Sequence, residues 1–314
     1  MDQLCEEQHL DITIDESEIV DGAKEIIKKI RPTWPLDKLH FKIFTDGITN
    51  KLIGVWYSEH YNEMVLVRVY GHKTDLLIDR KDETRNIRVL HKAGFTHSIY
   101  ATFNNGLAYQ FIEGNILTIE TVRNSDIYVL VAKRMAQMHR LKPDDTEMPK
   151  NACIWKKLEK FMEIMPKEFL DVSKQTRYIF IYKVRNRYMN NKNKIYLLII
   201  IYNLILGIDD PDYSLYPEEQ LQKAWLNIYL QEYNNVKCVP ENEINLLYLQ
   251  VNKFVLLSHF FWGCWGLIQS EHSTIDFDFL DQFHHFYRNP QCNKYSVLKS
   301  SFYHDTFKKL FLPV

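Results

Sequence analysis

No run of this sequence is apolar for long enough to span a bilayer. The longest, IYLLIIIYNLIL, covers only the twelve residues 195–206, where a spanning helix needs about 20. Cysteine is sparse. The five, Cys5, Cys153, Cys238, Cys264 and Cys292, are odd in number and scattered, with no CxxC pair. This leaves no disulfide framework and reads as reduced thiols in a cytoplasmic protein. Charge of one sign is not in excess: Lys plus Arg number 39 against 40 Asp plus Glu, for a formal net charge of −1. Such a balance calls for neither nucleic acid nor an acidic membrane surface. The opening residues, MDQLCEEQHLDITIDESE, are acidic without an apolar centre and do not read as a signal peptide. No repeat period and no lipidation motif is present. The most local absence is chemical. From Val172 to Ile208 there is not one Asp or Glu.

What is present looks like an ordinary enzyme of small metabolites. Hydrophobic residues make up 46% of the 314 and charged residues 25%, so the chain is globular and long enough for two lobes. Ile19, Val20, Ala23, Ile26, Ile27 and Ile30 fall on one face of a helix that ends in Lys28, Lys29 and Arg31 before Pro32. Residues 40–45 (HFKIFT), 51–57 (KLIGVWY) and 64–70 (MVLVRVY) read as three strands of an antiparallel meander. Residues 79–93 read as a helix capped by Gly94. Asn105-Gly106, between two apolar runs, signals a hairpin. Residues 124–141, 217–233 and 241–271 read as helices. The pattern is therefore α+β: a small antiparallel-sheet lobe over residues 1–113, then a helical lobe over 114–314, with a ligand expected in the cleft between.

The sheet lobe carries the first chemical hints. FTDGITNKLIGVWY is a strand, a turn and a strand, and such a turn can fold its N–H groups over nucleotide phosphates, with Gly47 allowing close approach. A plain hairpin would read the same. VLVRVYG then places one cation, Arg68, among apolar residues of the third strand. Bilobal kinases hold nucleotide phosphates with a cation in that place, paired to an acid on the next helix, here Glu83. A surface ion pair is the plain alternative.

DGITNKLIG, the VLVRVYG strand, TFNNGLAYQFIEG, PDYSLYPEEQL and SHFFWGCWGLIQ followed by STIDFDFL together resemble the choline/ethanolamine kinase family. They are closer to its ethanolamine kinases than to its choline kinases. The resemblance covers roughly residues 9–170 and 207–290. It implies a protein-kinase-like bilobal fold and transfer of the γ-phosphoryl group of ATP, with Mg²⁺, to the hydroxyl of ethanolamine, the first step toward CDP-ethanolamine and phosphatidylethanolamine. Choline is the alternative substrate. The resemblance further implies that Asp46, Gly47, Thr49 and Asn50 cover the phosphates, and that Arg68 contacts them with Glu83 as its partner. Gln110, Phe111 and Ile112 would form a hinge whose backbone reads adenine. Trp262 and Trp265, at an i, i+3 spacing, lie on one helical face. They can hold a small ammonium ion by cation–π attraction, with Tyr213 contributing; a helix this aromatic also reads as core. His139 reads as structural.

The centre of the helical lobe departs from the family. Phosphoryl transfer on this fold needs an Asp as base, and an Asn with a second Asp for Mg²⁺. The family supplies them from an H-N-D-x-x-x-x-N segment and a following I-D-Y-E segment. Here the nearest analogue, YKVRNRYMNN, has Val184 or Arg185 where the Asp belongs, and no metal ligand is found. The lobe is short of the family pattern by about 50 residues. In residues 177–206, Ile (7), Tyr (5), Asn (5), Lys (3) and Phe (1) make up 21 of the 30. All five are encoded by A/T-rich codons. Residues 172–206 therefore read as a non-family segment, a retained intron or a misjoined gene model replacing the catalytic and Mg²⁺-binding loops. The rival is a genuine strand or helix of the core. Accordingly the chain reads as an ethanolamine kinase inactive as written, as a pseudokinase acting by binding, or as a non-functional splice or gene-model product.

Overall fold

A computed structural model describes residues 7–44, 50–57, 60–71, 74–142, 153–188 and 217–272. The chain divides into two compact units, the first running to Ile116 and the second beginning at Leu117.

The first unit is a six-stranded sheet with order β1-β5-β6-β4-β3-β2. Its strands are β1 (Gln8–Leu10), β2 (Leu39–Phe44), β3 (Asn50–Tyr57), β4 (Val65–Tyr70), β5 (Ile99–Phe103) and β6 (Gly106–Gln110). The expected meander is there: β2 and β3 pair antiparallel with Leu39 opposite Tyr57, and β3 and β4 with Asn50 opposite Tyr70. Helix α1 (Ile19–Ile30) buries Ile19, Ala23, Ile26, Ile27 and Ile30 in one core with Ile53, Val55, Val65, Val67 and Val69. Strand β4 alternates, its valines in that core, while Leu66 and Tyr70 pack with Leu107, Tyr109 and Ile87 in a second cluster. Ile87 belongs to α2 (Arg80–Lys92). Arg68 shares the period of Leu66 and Tyr70 along the strand.

Two features differ from the sequence reading. Strand β1 was not foreseen. It pairs parallel with β5, Gln8 opposite Ala101, and QHL is too short and polar to announce a strand. Asn105 secures the chain that follows: its Oδ1 accepts from Ile14 N at 3.0 Å, and its Nδ2 donates to Ile14 O at 2.8 Å. The hairpin also turns one residue early. Phe103 pairs with Gly106, so Asn104 and Asn105 form the turn and Gly106 opens β6. None of the three has a positive φ. Gly94 does cap α2 as read, with φ 72°; its N–H donates to His91 O at 2.8 Å.

The second unit is helical: α3 (Ile119–Arg123), α4 (Ser125–His139), α5 (Cys153–Ile164), α6 (Val172–Tyr188), α7 (Glu219–Asn234) and α8 (Glu241–His272). Asn124 separates α3 from α4 and caps the latter, its Oδ1 accepting from Asp126 N. Ala132, Ala136, Trp225, Leu226, Tyr229 and Val251 form a core of α4, α7 and α8. His139, read as structural, has its Nδ1 2.9 Å from the Tyr229 hydroxyl. The first part of the acid-free run is helical. In α6, Arg177 and Ile181 are buried, and Lys174 pairs with Glu271 near the end of α8. Residues 189–206 lie outside the described residues.

Candidate functional site

The second face of the sheet carries a compact polar cluster. Arg68 Nη2 lies 2.7 Å from Glu83 Oε1, and Arg80 Nη1 lies 3.0 Å from Glu83 Oε2. One carboxylate is thus shared by two guanidinium groups, one from β4 and one from the first residue of α2. Arg80 also donates to Thr74 Oγ1, and its guanidinium sits 3.7 Å from the centre of the Tyr70 ring. Arg68 lies farther out, 5.7 Å from the Tyr70 ring centre and 6.0 Å from that of Tyr109. His97 stacks on Tyr109 at 4.2 Å. Burial above all raises the Tyr70 hydroxyl pKa, and the Glu83 charge adds to it. Burial likewise lowers the His97 imidazole pKa, helped by the charge on Arg68.

Two cations against one anion leave this cluster with a net positive charge. The Nε atoms of both Arg68 and Arg80 are buried and meet no hydrogen-bond acceptor. Such a group suits an arriving anion better than a finished ion pair does. Arg68 and Glu83 are therefore brought together as the sequence order implied. Arg80, Tyr70 and Thr74 were missed, although Arg80 stands three residues before Glu83 on the same helix, a spacing that puts both on one face.

Of the three N–H groups expected to form a hinge, two are already engaged. Gln110 N donates to Ser98 O at 3.0 Å and Phe111 N to Met64 O at 3.1 Å. Neither can also read adenine, so the expectation narrows to Ile112. Its N–H has no backbone acceptor among the described residues, and the residue is exposed. Asn50 opens β3. Asp46, Gly47, Thr49 and Tyr213 lie outside the described residues.

In the helical unit, Trp262 and Trp265 meet edge to face, with ring centres 5.5 Å apart and planes at 83°. Phe261 meets Trp262 at 5.6 Å. Trp265 is 8% exposed and Trp262 is half-buried. Every residue from Gly263 to Gln269 is buried, so this part of α8 is enclosed all round. Burial drives the Cys264 thiol far above its usual pKa, which makes it an inert core group.

Mg²⁺ needs hard oxygen ligands, usually carboxylates. Among the described residues no three His, Cys, Asp or Glu side chains gather as a metal would require, and Glu83 is committed to two arginines. These donors do not fit the ion. No helix among the described residues is long and apolar enough to cross a membrane.

A sheet unit with a cation–glutamate pair, followed in the chain by a helical unit, is the plan of phosphotransferases with a protein-kinase-like fold. The structure superposes on that of the ethanolamine kinase of Plasmodium vivax with a TM-score of 0.67 at 20% identity, covering 90% of this chain and 91% of that one. The model of the choline/ethanolamine kinase family matches residues 41–198 and 208–289, and the chain belongs to that family. Ethanolamine kinase 1 of Homo sapiens is 36% identical over 86% of this chain and 72% of its own. The figures for ethanolamine kinase 1 of Mus musculus are 35%, 86% and 89%. The mouse alignment spans 324 positions, whereas 86% of 314 residues is about 270. About 54 positions of the alignment therefore have no counterpart in this chain. The family match extends through residues 172–198, most of the segment expected to lie outside the family, and is interrupted only at residues 199–207.

Proposed function

We propose that this chain is an ethanolamine kinase in its ancestry and in its binding sites, and that as written it does not transfer phosphate. The carrying observation is the contrast between the two ends of the reaction. Arg68 and Glu83 stand 2.7 Å apart, the pairing a nucleotide site needs. From Val172 to Ile208, where the family pattern places its base and metal ligands, there is no carboxylate at all. The shortfall of about 54 positions supports the same reading, since it is of the size that loss of such segments would leave.

In the intact reaction, the hydroxyl of ethanolamine attacks the γ-phosphorus of ATP while a carboxylate accepts its proton. ADP and phosphoethanolamine leave. This chain retains residues for the binding part alone. Arg68 would face the phosphates, with Glu83 fixing its direction. The Ile112 N–H would read adenine, and Trp262 and Trp265 would hold the ammonium end. Without the base and the fixed charges around the transferring group, nothing stabilises the transition state. Choline is the alternative at the ammonium site, since the acids that would distinguish it belong to the absent segment. Nucleotide and a small amine would be the partners, in the cytoplasm.

The test is ethanolamine-dependent ADP release by the purified chain, with calorimetric titration of ATP and of ethanolamine alongside. No release with measurable binding is the expected result. Release abolished by EDTA would overturn it. A pseudokinase reading draws on α6, where Lys174 ties the acid-free run to α8. It is favoured over a non-functional product if the chain melts cooperatively and its transcript encodes residues 165–215 as written.

A further inference from the structure

Arg80 is in an unusual place for a cation. It is the first residue of α2, next to the capping Asp79, where the helix dipole disfavours positive charge. Helix stability therefore does not account for it. Its side chain is nonetheless held on three sides. Nη1 is on Glu83 Oε2 at 3.0 Å, Nη2 is on Thr74 Oγ1, and the guanidinium plane lies 3.7 Å from the Tyr70 ring centre. Thr74 is itself fixed, with its hydroxyl donating to Gly71 O at 2.8 Å. Only 16% of the Arg80 side chain is exposed, against 20% of Arg68 and 22% of Glu83.

The consequence concerns Glu83. A lone carboxylate facing a guanidinium closes into a two-oxygen, two-nitrogen pair, the strongest geometry open to it. Here the carboxylate is divided instead: Arg80 takes Oε2 at 3.0 Å while the short contact of Arg68 is to Oε1 at 2.7 Å. Arg68 is left with a buried Nε that has no acceptor, as is Arg80. We propose that Arg80 is a positioning residue of the nucleotide site: itself braced on Thr74 and Tyr70, it holds one oxygen of Glu83 and so keeps Arg68 available to a phosphate. This rests on the nucleotide reading above.

The experiment is calorimetric titration of ADP and of adenosine into the wild-type chain, Arg80→Met and Arg80→Lys. ADP affinity should fall about tenfold in Arg80→Met, the scale of one charge-assisted hydrogen bond, and less in Arg80→Lys. Adenosine affinity should stay unchanged in both, because adenosine carries no phosphate. A parallel loss of adenosine would mean that Arg80 only supports the fold. Equal ADP affinity in wild type and Arg80→Met would sink the inference alone. No ADP binding by the wild-type chain would sink the nucleotide reading and this one with it. If Arg80→Met does not fold, Thr74→Val removes the hydroxyl that holds Nη2 and should show the same selective loss, and an unaltered ADP affinity there overturns the proposal.

Discussion

Gly106 lies directly against the carbonyl of Arg68. A Cβ built on Gly106 would overlap that oxygen and the ring of Phe103. The strand that carries the site's cation is thus backed by a residue with no side chain, and β6 can approach β4 only because of it. Gly106→Ala forces strand backbone to move, so it should cost about 2 kcal/mol or more. Gly94→Ala meets nothing within 4 Å but has φ 72°; its cost is conformational, about 1 kcal/mol. Urea unfolding of the two variants should rank them in that order. A Gly106→Ala variant as stable as wild type would show that β6 does not press on β4.

Inside the helical unit, Asn252 Nδ2 donates to Gln222 Oε1 at 3.0 Å, and Gln222 Nε2 to Pro217 O at 2.7 Å. Both side chains are buried. Removing Asn252 leaves Gln222 Oε1 without this donor away from water, and removing Gln222 takes the Pro217 carbonyl's donor, while Asn252 Nδ2 keeps Tyr248 O at 2.9 Å. Asn252→Ala should therefore cost about 1–3 kcal/mol, and Gln222→Ala a similar amount. The double variant should cost clearly less than their sum, because the shared bond is lost once. Additive losses in thermal unfolding would mean that the pair is not coupled.

Much of the sheet unit was legible because its signals are local. The apolar face of α1, the valines of β4 and the glycine after α2 each follow from a period or a backbone requirement within a few residues. The missed parts depend on distant partners. Strand β1 exists because β5, some 90 residues on, accepts it. Arg80 matters because Tyr70, Thr74 and Glu83 converge on it, and no window of sequence displays that convergence. Asn105-Gly106 was read one residue late, since a close approach and a positive φ both select glycine and the sequence does not say which applies. Trp262 and Trp265 share a helix face, but sequence cannot separate a pocket wall from core, as both ask for the same residues.

His97 and His139 should make the fold sensitive to mild acid. Burial lowers the pKa of both imidazoles, so each is held neutral in the folded state while the unfolded chain protonates near about 6.5. Protons then favour the unfolded state. The stability is intact above about pH 6.5 and is lost as pH falls from there toward the lower folded values. Urea midpoints followed by circular dichroism should drop between pH 7.5 and pH 5.5. In the His97→Gln, His139→Gln double variant the drop should shrink. An undiminished drop would assign the acid sensitivity to other groups.

Trp265 offers the sharpest division between core and pocket. It is 8% exposed and takes the edge-to-face contact of Trp262. Trp265→Ala should cost about 3–5 kcal/mol through the cavity left behind, whichever role the ring has. The informative variant is Trp265→Phe, which keeps an aromatic ring while weakening its attraction for a cation. A cation–π contact contributes about 0.5–2 kcal/mol, so ethanolamine affinity should fall several-fold by calorimetry while the loss of stability stays well below that of Trp265→Ala. An affinity equal to wild type, with ethanolamine still bound, would return Trp265 to the core and leave Trp262 as the ring that meets the ammonium ion.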